Sequence, residues 1–290
     1  MGRELADRFP EARAVYDEAA DVVGFDVAGL CFEGPIEELT RTERQQPALV
    51  ATELACLRAV ATTGLAPDYV IGHSVGEYAA LVAAGALDEA DALALVRERG
   101  EATAAVAAEH PGAMAAVLGL EDAVVEELCA DIGGVWPANY NCPGQLVVSG
   151  ESAAVDRLVE AATERGARRA VKLRISGAFH SPLVAGAAER LRPAVERVEW
   201  REPATGFMST VTSRLERGGF GELLVEQLTA PVRFTQAIAS LVADGVETFV
   251  EIGPGHVLAG LIRRCERSAR TLSVGDLEGL AKLEEVLETA

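Results

Sequence analysis

The residues with the clearest chemical meaning are Gly72-His73-Ser74-Val75-Gly76. A serine hydroxyl becomes a usable nucleophile on a tight turn, and glycines two before and two after leave room for the sharp backbone. In a Gly- and Ala-rich chain the pattern alone also arises by chance. Its setting between a short apolar strand, Pro67–Ile71, and an apolar helix, Glu77–Ala86, favours a nucleophile at Ser74. The Val75 N–H, at the start of that helix, would point to where an oxyanion forms.

Serine chemistry needs a base, and the chain has four histidines: His73, His110, His180 and His256. His73 adjoins the serine and would point away from its hydroxyl. His110 lies in a polar helix-to-strand loop, and His256 follows Gly253-Pro254-Gly255 as a helix-start residue. His180, in Ser176-Gly177-Ala178-Phe179-His180-Ser181-Pro182, stands just past a strand end, where α/β sites are built. Position alone leaves His180 open between a base and a structural histidine.

Arg99 lies 25 residues after Ser74 on the second helix beyond it. A helical arginine is ordinarily a solvated charge. A substrate with a free carboxylate would change that reading, because a guanidinium clamps carboxylates bidentately. Arg165, Arg168, Arg169, Lys172 and Arg174 put five positive charges in ten residues, and Arg263, Arg264, Arg267 and Arg270 form a second run. Each run reads as a solvated face or as a dock for an acidic partner.

The elements that must position these groups alternate. Helices are expected over 3–22 and from Gln46-Pro47 to about Thr63, and another starts at Asp88 as N-cap. Between Ala113 and Ile175 the order is β-α-β-β-α-β, with strands at Ala113–Leu120, Trp136–Asn141, Gln145–Ser149 and Arg169–Ile175. Then come a helix over Ser181–Val198, a strand at Thr205–Val211, helices at Gly221–Leu228 and Gln236–Asp244, a strand at Glu247–Ile252 and a helix from Val257. This predicts an α/β fold: a hydrolase-like, parallel-sheet large subdomain (1–111 and 178–290) with an inserted ferredoxin-like small subdomain (112–177).

Composition narrows the classes. The 290 residues are 49% hydrophobic with a formal charge of -19. That is ample for a large core and unsuited to general binding of nucleic acid or anionic membrane. The five cysteines are scattered, with no C-x-x-C pair, and read as reduced thiols rather than a disulfide frame or metal site. The N-terminus is a charged amphipathic helix rather than a signal peptide, so a cytoplasmic protein is expected.

Taken together, these motifs resemble the malonyl-CoA:acyl-carrier-protein transacylases and polyketide synthase acyltransferase domains, along essentially the whole chain. The resemblance lies in Gly72–Leu87, in Leu95-Val96-Arg97-Glu98-Arg99-Gly100, and in Gly112–Val117. It continues through Asn139–Gln145, Gly177–Ser181, Gln227-Leu228 with Pro231-Val232, and Val250–Gly255. It implies Ser74 as nucleophile and His180 as base. Gln227 would orient His180 through its main-chain carbonyl, and Arg99 would pair with the malonyl carboxylate. Phe179 would accompany malonyl choice. The implied partners are malonyl-CoA and an acyl carrier protein of fatty acid or polyketide synthesis, with no metal or cofactor and a monomeric state.

The family opens with a strand and a G-Q-G-S-Q-like loop that supplies a second oxyanion donor. This chain starts at Met1-Gly2-Arg3-Glu4, past that loop. Either the start is assigned too late, or the protein lacks a core strand and one oxyanion donor, a loss that can cost roughly two to three orders of magnitude in rate and would leave a groove and an exposed sheet edge. Two rivals share the motifs: an α/β serine hydrolase or thioesterase, with an acid between serine and histidine, and a truncated, inactive carrier-binding domain.

Overall fold

The computed structural model describes residues 1–175 and 177–289; Ser176, in the histidine segment, and Ala290 lie outside the described residues. Two helices, α1 (Arg3–Arg8) and α2 (Pro10–Val23), stand where one was expected over 3–22. The break is local chemistry. Phe9 precedes a proline and adopts φ -117, ψ 112, while Pro10 opens α2 at its first position, where no N–H is needed. α3 (Val27–Glu33) is capped by Asp26, whose Oδ1 accepts from Gly29 N at 2.8 Å. A short α4 (Ile36–Leu39) leads to α5 (Thr42–Ala61).

Pro47 was expected to open α5 but lies inside it, the helix beginning at Thr42. Near the N-terminal end a proline forfeits only one ladder bond. Gly100 lets the next long helix approach that turn: a Cβ there would come 3.2 Å from Glu43 Cα. That close approach brings Gln46 Nε2 to 3.1 Å from Thr103 Oγ1.

β1 (Tyr69–Ile71) runs into the turn at Ser74 and then α6 (Gly76–Ala83), followed by α7 (Glu89–Glu109). Asp88 occupies the N-cap position of α7, but its side chain makes no cap bond; it pairs with Arg201 at 2.5 Å. The largest core packs α2, α5, α6 and α7 around Tyr16, Leu54, Tyr78, Leu81, Leu93 and Leu95.

A second group follows: β2 (Gly112–Leu118), α8 (Asp122–Ile132), β3 (Val135–Cys142), β4 (Gln145–Glu151), α9 (Ser152–Glu164) and β5 (Arg169–Lys172). These strands form an antiparallel sheet of order β3-β4-β2-β5. Its own core includes Val117, Leu146, Val148, Val155 and Leu158. The sheet is tied to the rest by two main-chain bonds around a bulge in β3: Tyr140 N donates to Val232 O and Val232 N to Ala138 O, both 2.8 Å.

The helix expected over Ser181–Val198 is a 3-10 turn (Pro182–Val184) and then α10 (Ala185–Val195). The remainder is β6 (Gly206–Met208), β7 (Leu215–Glu216), α11 (Phe220–Gln227), α12 (Phe234–Ala243), β8 (Thr248–Ile252), α13 (Val257–Cys265), β9 (Arg270–Val274) and α14 (Leu277–Thr289). The single parallel sheet that was expected is two small ones among the described residues. β1 and β6 pair in parallel with β7 added antiparallel, and β8 pairs with β9 in parallel. β1 and β6 share only three paired positions, so helix packing rather than a long ladder holds this region. No helix among the described residues is long and apolar enough to cross a membrane.

The turn after β1 tolerates no side chain at Gly72, where an added Cβ would overlap the Glu77 N and Gly76 C atoms at the start of α6. Gly72→Ala is therefore expected to displace the helix start and cost about 1–3 kcal/mol or more. A urea midpoint unchanged at constant m-value would contradict this.

Candidate active site

Ser74 and His180 both hold left-handed backbone conformations, φ 53 and φ 58, which non-glycine residues seldom adopt. Ser74 is held between β1 and the first turn of α6, where Glu77 N bonds its carbonyl at 3.0 Å. His180 is held by its own N–H on Leu228 O at 3.1 Å, and its neighbour Ser181 caps Ala178 O at 2.6 Å. These two strained turns aim the side chains at each other, with Ser74 Oγ 2.7 Å from His180 Nε2.

The other imidazole nitrogen settles the tautomer. His180 Nδ1 is 2.9 Å from the Gln227 carbonyl oxygen and 3.2 Å from that of Ala230. Both partners can only accept, so Nδ1 carries the hydrogen and Nε2 offers its lone pair to the Ser74 hydroxyl. Burial, and after it the Arg99 charge, push the His180 pKa down to about 3. The imidazole is thus neutral, with its Nε2 lone pair free to accept a hydrogen bond.

Arg99 is buried, 5% exposed, on the inward face of α7. Its Nη1 donates to Gln46 Oε1 at 2.5 Å, and its Nη2 to Gln227 Oε1 and to Ser74 Oγ, both at 3.3 Å. Its Nε meets no acceptor among the described residues. Every direct partner of this guanidinium is therefore neutral, and burial lowers its pKa. A cation so placed, beside the Ser74 hydroxyl, suits an incoming carboxylate.

Gln227 sits at the end of α11, 1% exposed. Besides its main-chain contact with His180, its Nε2 donates to Ser74 O at 3.0 Å and to Glu77 Oε2 at 2.5 Å. Glu77 Oε1 in turn accepts from Thr210 N at 2.6 Å and Thr210 Oγ1 at 2.7 Å. Burial raises the Glu77 pKa, while the Thr210 and Gln227 donors oppose that rise.

Val75 forms the N-cap of α6, so its N–H is one of the first-turn donors that no helical carbonyl can accept. Phe179 is half-buried between the main helical core and a small cluster of Met114, Ala116, Ala138 and Val147 on the antiparallel sheet. Of the basic segment, Arg165 pairs with Glu127 at 3.4 Å and Lys172 with Asp156 at 2.8 Å, and Arg168, Arg169 and Arg174 are exposed on or beside the edge strand β5. In the second basic run, Arg264 bonds Gln145 Oε1 and Arg263 bonds Thr271 Oγ1, each at 2.8 Å. His73 faces away from the Ser74 hydroxyl, its Nε2 2.9 Å from Asn141 Oδ1. His110 and His256 are exposed.

Thus Ser74, His180, Arg99 and Gln227 converge, whereas the hydrogen bonds and ion pairs of the two basic runs among the described residues reach none of these four. Gln46, Glu77 and Thr210 are site members that the sequence reading missed. Glu77 did leave a signal: it is a lone acid in the apolar run Tyr78-Ala79-Ala80-Leu81 three residues after the candidate nucleophile.

Comparison with known proteins agrees with this geometry. Residues 1–285 match the acyl transferase domain family. The malonyl CoA-acyl carrier protein transacylase of Bacillus subtilis (strain 168) is 42% identical over 96% of this chain and 90% of its own length. Among solved structures, the malonyl-CoA:acyl carrier protein transacylase of Xanthomonas oryzae superposes with a TM-score of 0.95 at 42% identity, covering 99% of this chain and 93% of that one. A malonyl-transacylase solved in complex with a type II PKS acyl-carrier protein superposes with a TM-score of 0.95 at 36% identity, covering 99% and 94%. A serine–histidine pair beside a buried guanidinium, in a chain that matches over nearly its full length, establishes that this protein belongs to the acyl transferase domain family.

Proposed function

We propose that the chain transfers a malonyl group from CoA to the phosphopantetheine thiol of an acyl carrier protein, through a malonyl ester on Ser74. The observation that carries this reading is the Arg99 guanidinium, buried among neutral partners 3.3 Å from the Ser74 hydroxyl. It suits an acyl group that ends in a carboxylate. The names and near-complete overlap of the relatives support the same substrate pair.

In the first half-reaction Ser74 Oγ attacks the thioester carbonyl and its proton passes to His180 Nε2. The C–S bond breaks, and CoA leaves as a thiol with that proton. In the second, the carrier thiol gives its proton to His180 and attacks the ester carbonyl; the C–O bond to Ser74 breaks and the hydroxyl is restored. The Val75 N–H faces the oxyanion in both steps. Gln227 holds the imidazole through its main-chain carbonyl, the place where a hydrolase triad sets a carboxylate. Arg99 pairs with the malonyl carboxylate, Phe179 shapes the acyl pocket, and no metal or redox cofactor is called for.

This reading treats residues 1–111 and 178–290 as a hydrolase-like large subdomain and 112–177 as an inserted ferredoxin-like one. The β-α-β-β-α-β order and the β3-β4-β2-β5 sheet support that division. It also takes the protein as a cytoplasmic monomer, and Arg165, Arg168, Arg169, Lys172 and Arg174 as a dock for the acidic carrier.

Intact mass after incubation with malonyl-CoA should show one malonyl adduct, lost in Ser74→Ala; an adduct that survives this change refutes the nucleophile. Arg99→Ala removes a charge-assisted contact of about 1.5–3 kcal/mol, so malonyl loading should fall about 10- to 100-fold more than acetyl loading. Equal loss on both substrates would remove Arg99 from the role.

The pH dependence has a definite sign. The base works when neutral, and its pKa is depressed from 6.5 to about 3. Hence kcat/KM for loading should stay flat between about pH 7 and about pH 5. Folding stability should decline over the same range and below, because the unfolded imidazole takes up a proton that the buried one refuses. An acid limb in kcat/KM near the ordinary histidine value would contradict the assignment.

A further inference from the structure

We infer that Glu77 is a positioning residue for malonyl selection: it fixes the direction of the Gln227 carboxamide and, through it, the pose of the Arg99 guanidinium. The inference rests on the reading of Arg99 as the carboxylate partner.

The argument is one of donors and acceptors. The Gln227 Nε2 faces two oxygens, Glu77 Oε2 and Ser74 O, while its Oε1 faces the Arg99 Nη2 donor. Turning the amide over would set oxygen against two oxygens and N–H against a cation, so only one orientation satisfies every contact. Glu77 holds that orientation because it is itself fully buried and accepts from both donors of Thr210. Gln46 supports the other side of the guanidinium, its Oε1 accepting from Nη1 and its Nε2 donating to Thr103 Oγ1. Arg99 is thus held between two carboxamide oxygens. Only the one from Gln227 is backed by a carboxyl group, and that group makes no hydrogen bond to the guanidinium.

An isosteric change exposes the role. In Glu77→Gln the new amide keeps an oxygen for Thr210 N only by presenting N–H to Gln227 Nε2. If Gln227 then turns over, its N–H meets Arg99; if the new amide turns instead, its N–H meets Thr210 N. Every arrangement leaves one donor facing another.

The test measures kcat/KM for malonyl-CoA and acetyl-CoA loading, with thermal unfolding as a control. Folded Glu77→Gln should lose about 10-fold more activity on malonyl-CoA than on acetyl-CoA. Thr210→Val, which removes one Glu77 donor and keeps the main-chain one, should shift the same ratio about 3-fold. Should Glu77→Gln fail to fold, Thr210→Val decides alone. A ratio unchanged from wild type, or equal losses on both substrates, overturns the inference, since a purely structural defect lowers both together. Arg99→Ala run alongside separates the causes. If it abolishes the malonyl preference while Glu77→Gln and Thr210→Val leave that preference intact, only the Glu77 inference falls; if Arg99→Ala also leaves it intact, the underlying reading falls too.

Discussion

The Ser74–His180 contact is the constraint to which the surrounding structure answers. The two residues are 106 positions apart in the chain, both with left-handed backbone, and their side chains meet at 2.7 Å. Neither turn would hold its conformation alone, because a side chain at positive φ costs on the order of 1 kcal/mol or more. One is clamped by the start of α6, the other by the His180 N–H on Leu228 O just after α11. The core joining α5, α6, α7, α10 and α11 keeps those clamps in register.

Gln227 gathers the remaining groups. Its backbone carbonyl touches the His180 imidazole, and its side chain touches the Ser74 carbonyl, the Arg99 guanidinium and the Glu77 carboxyl. One residue at a helix end thus links four groups, from the turn after β1, from α6, from α7 and from the loop before the 3-10 turn. Such a buried network rigidifies when fully satisfied, and this one stays open at Arg99 Nε, which meets no acceptor among the described residues.

Much of this was legible in the sequence, unevenly. The glycine spacing around Ser74 announces its own geometry because a turn is a local object. The strands and helices between Gly112 and Lys172 were read within a few residues, since apolar alternation and turn residues mark them. Prolines misled in opposite ways: Pro10 split a helix read as continuous, and Pro47 sat inside a helix it was expected to start. The polar strand Arg270–Val274 and the final helix Leu277–Thr289 were not read at all, and the two-residue β7 is too short to leave a pattern. His180 could not be told from a structural histidine before folding, because its partner is set by tertiary closure. Gln46 and Glu77 were hidden for the same reason; burial is a property of the packed chain, and only the apolar neighbours of Glu77 hinted at it.

The proximity of Arg99 to His180 has a kinetic meaning. Burial, and after it the guanidinium, depress the basicity of the imidazole. A bound carboxylate would offset that positive field and let the imidazole hold a proton more readily. An acyl group without the carboxylate brings no such compensation, so it meets a weaker proton acceptor as well as a poorer fit. On the proposed roles, discrimination would act on reactivity as much as on affinity, the ligand's own charge strengthening the base that deprotonates the attacking hydroxyl.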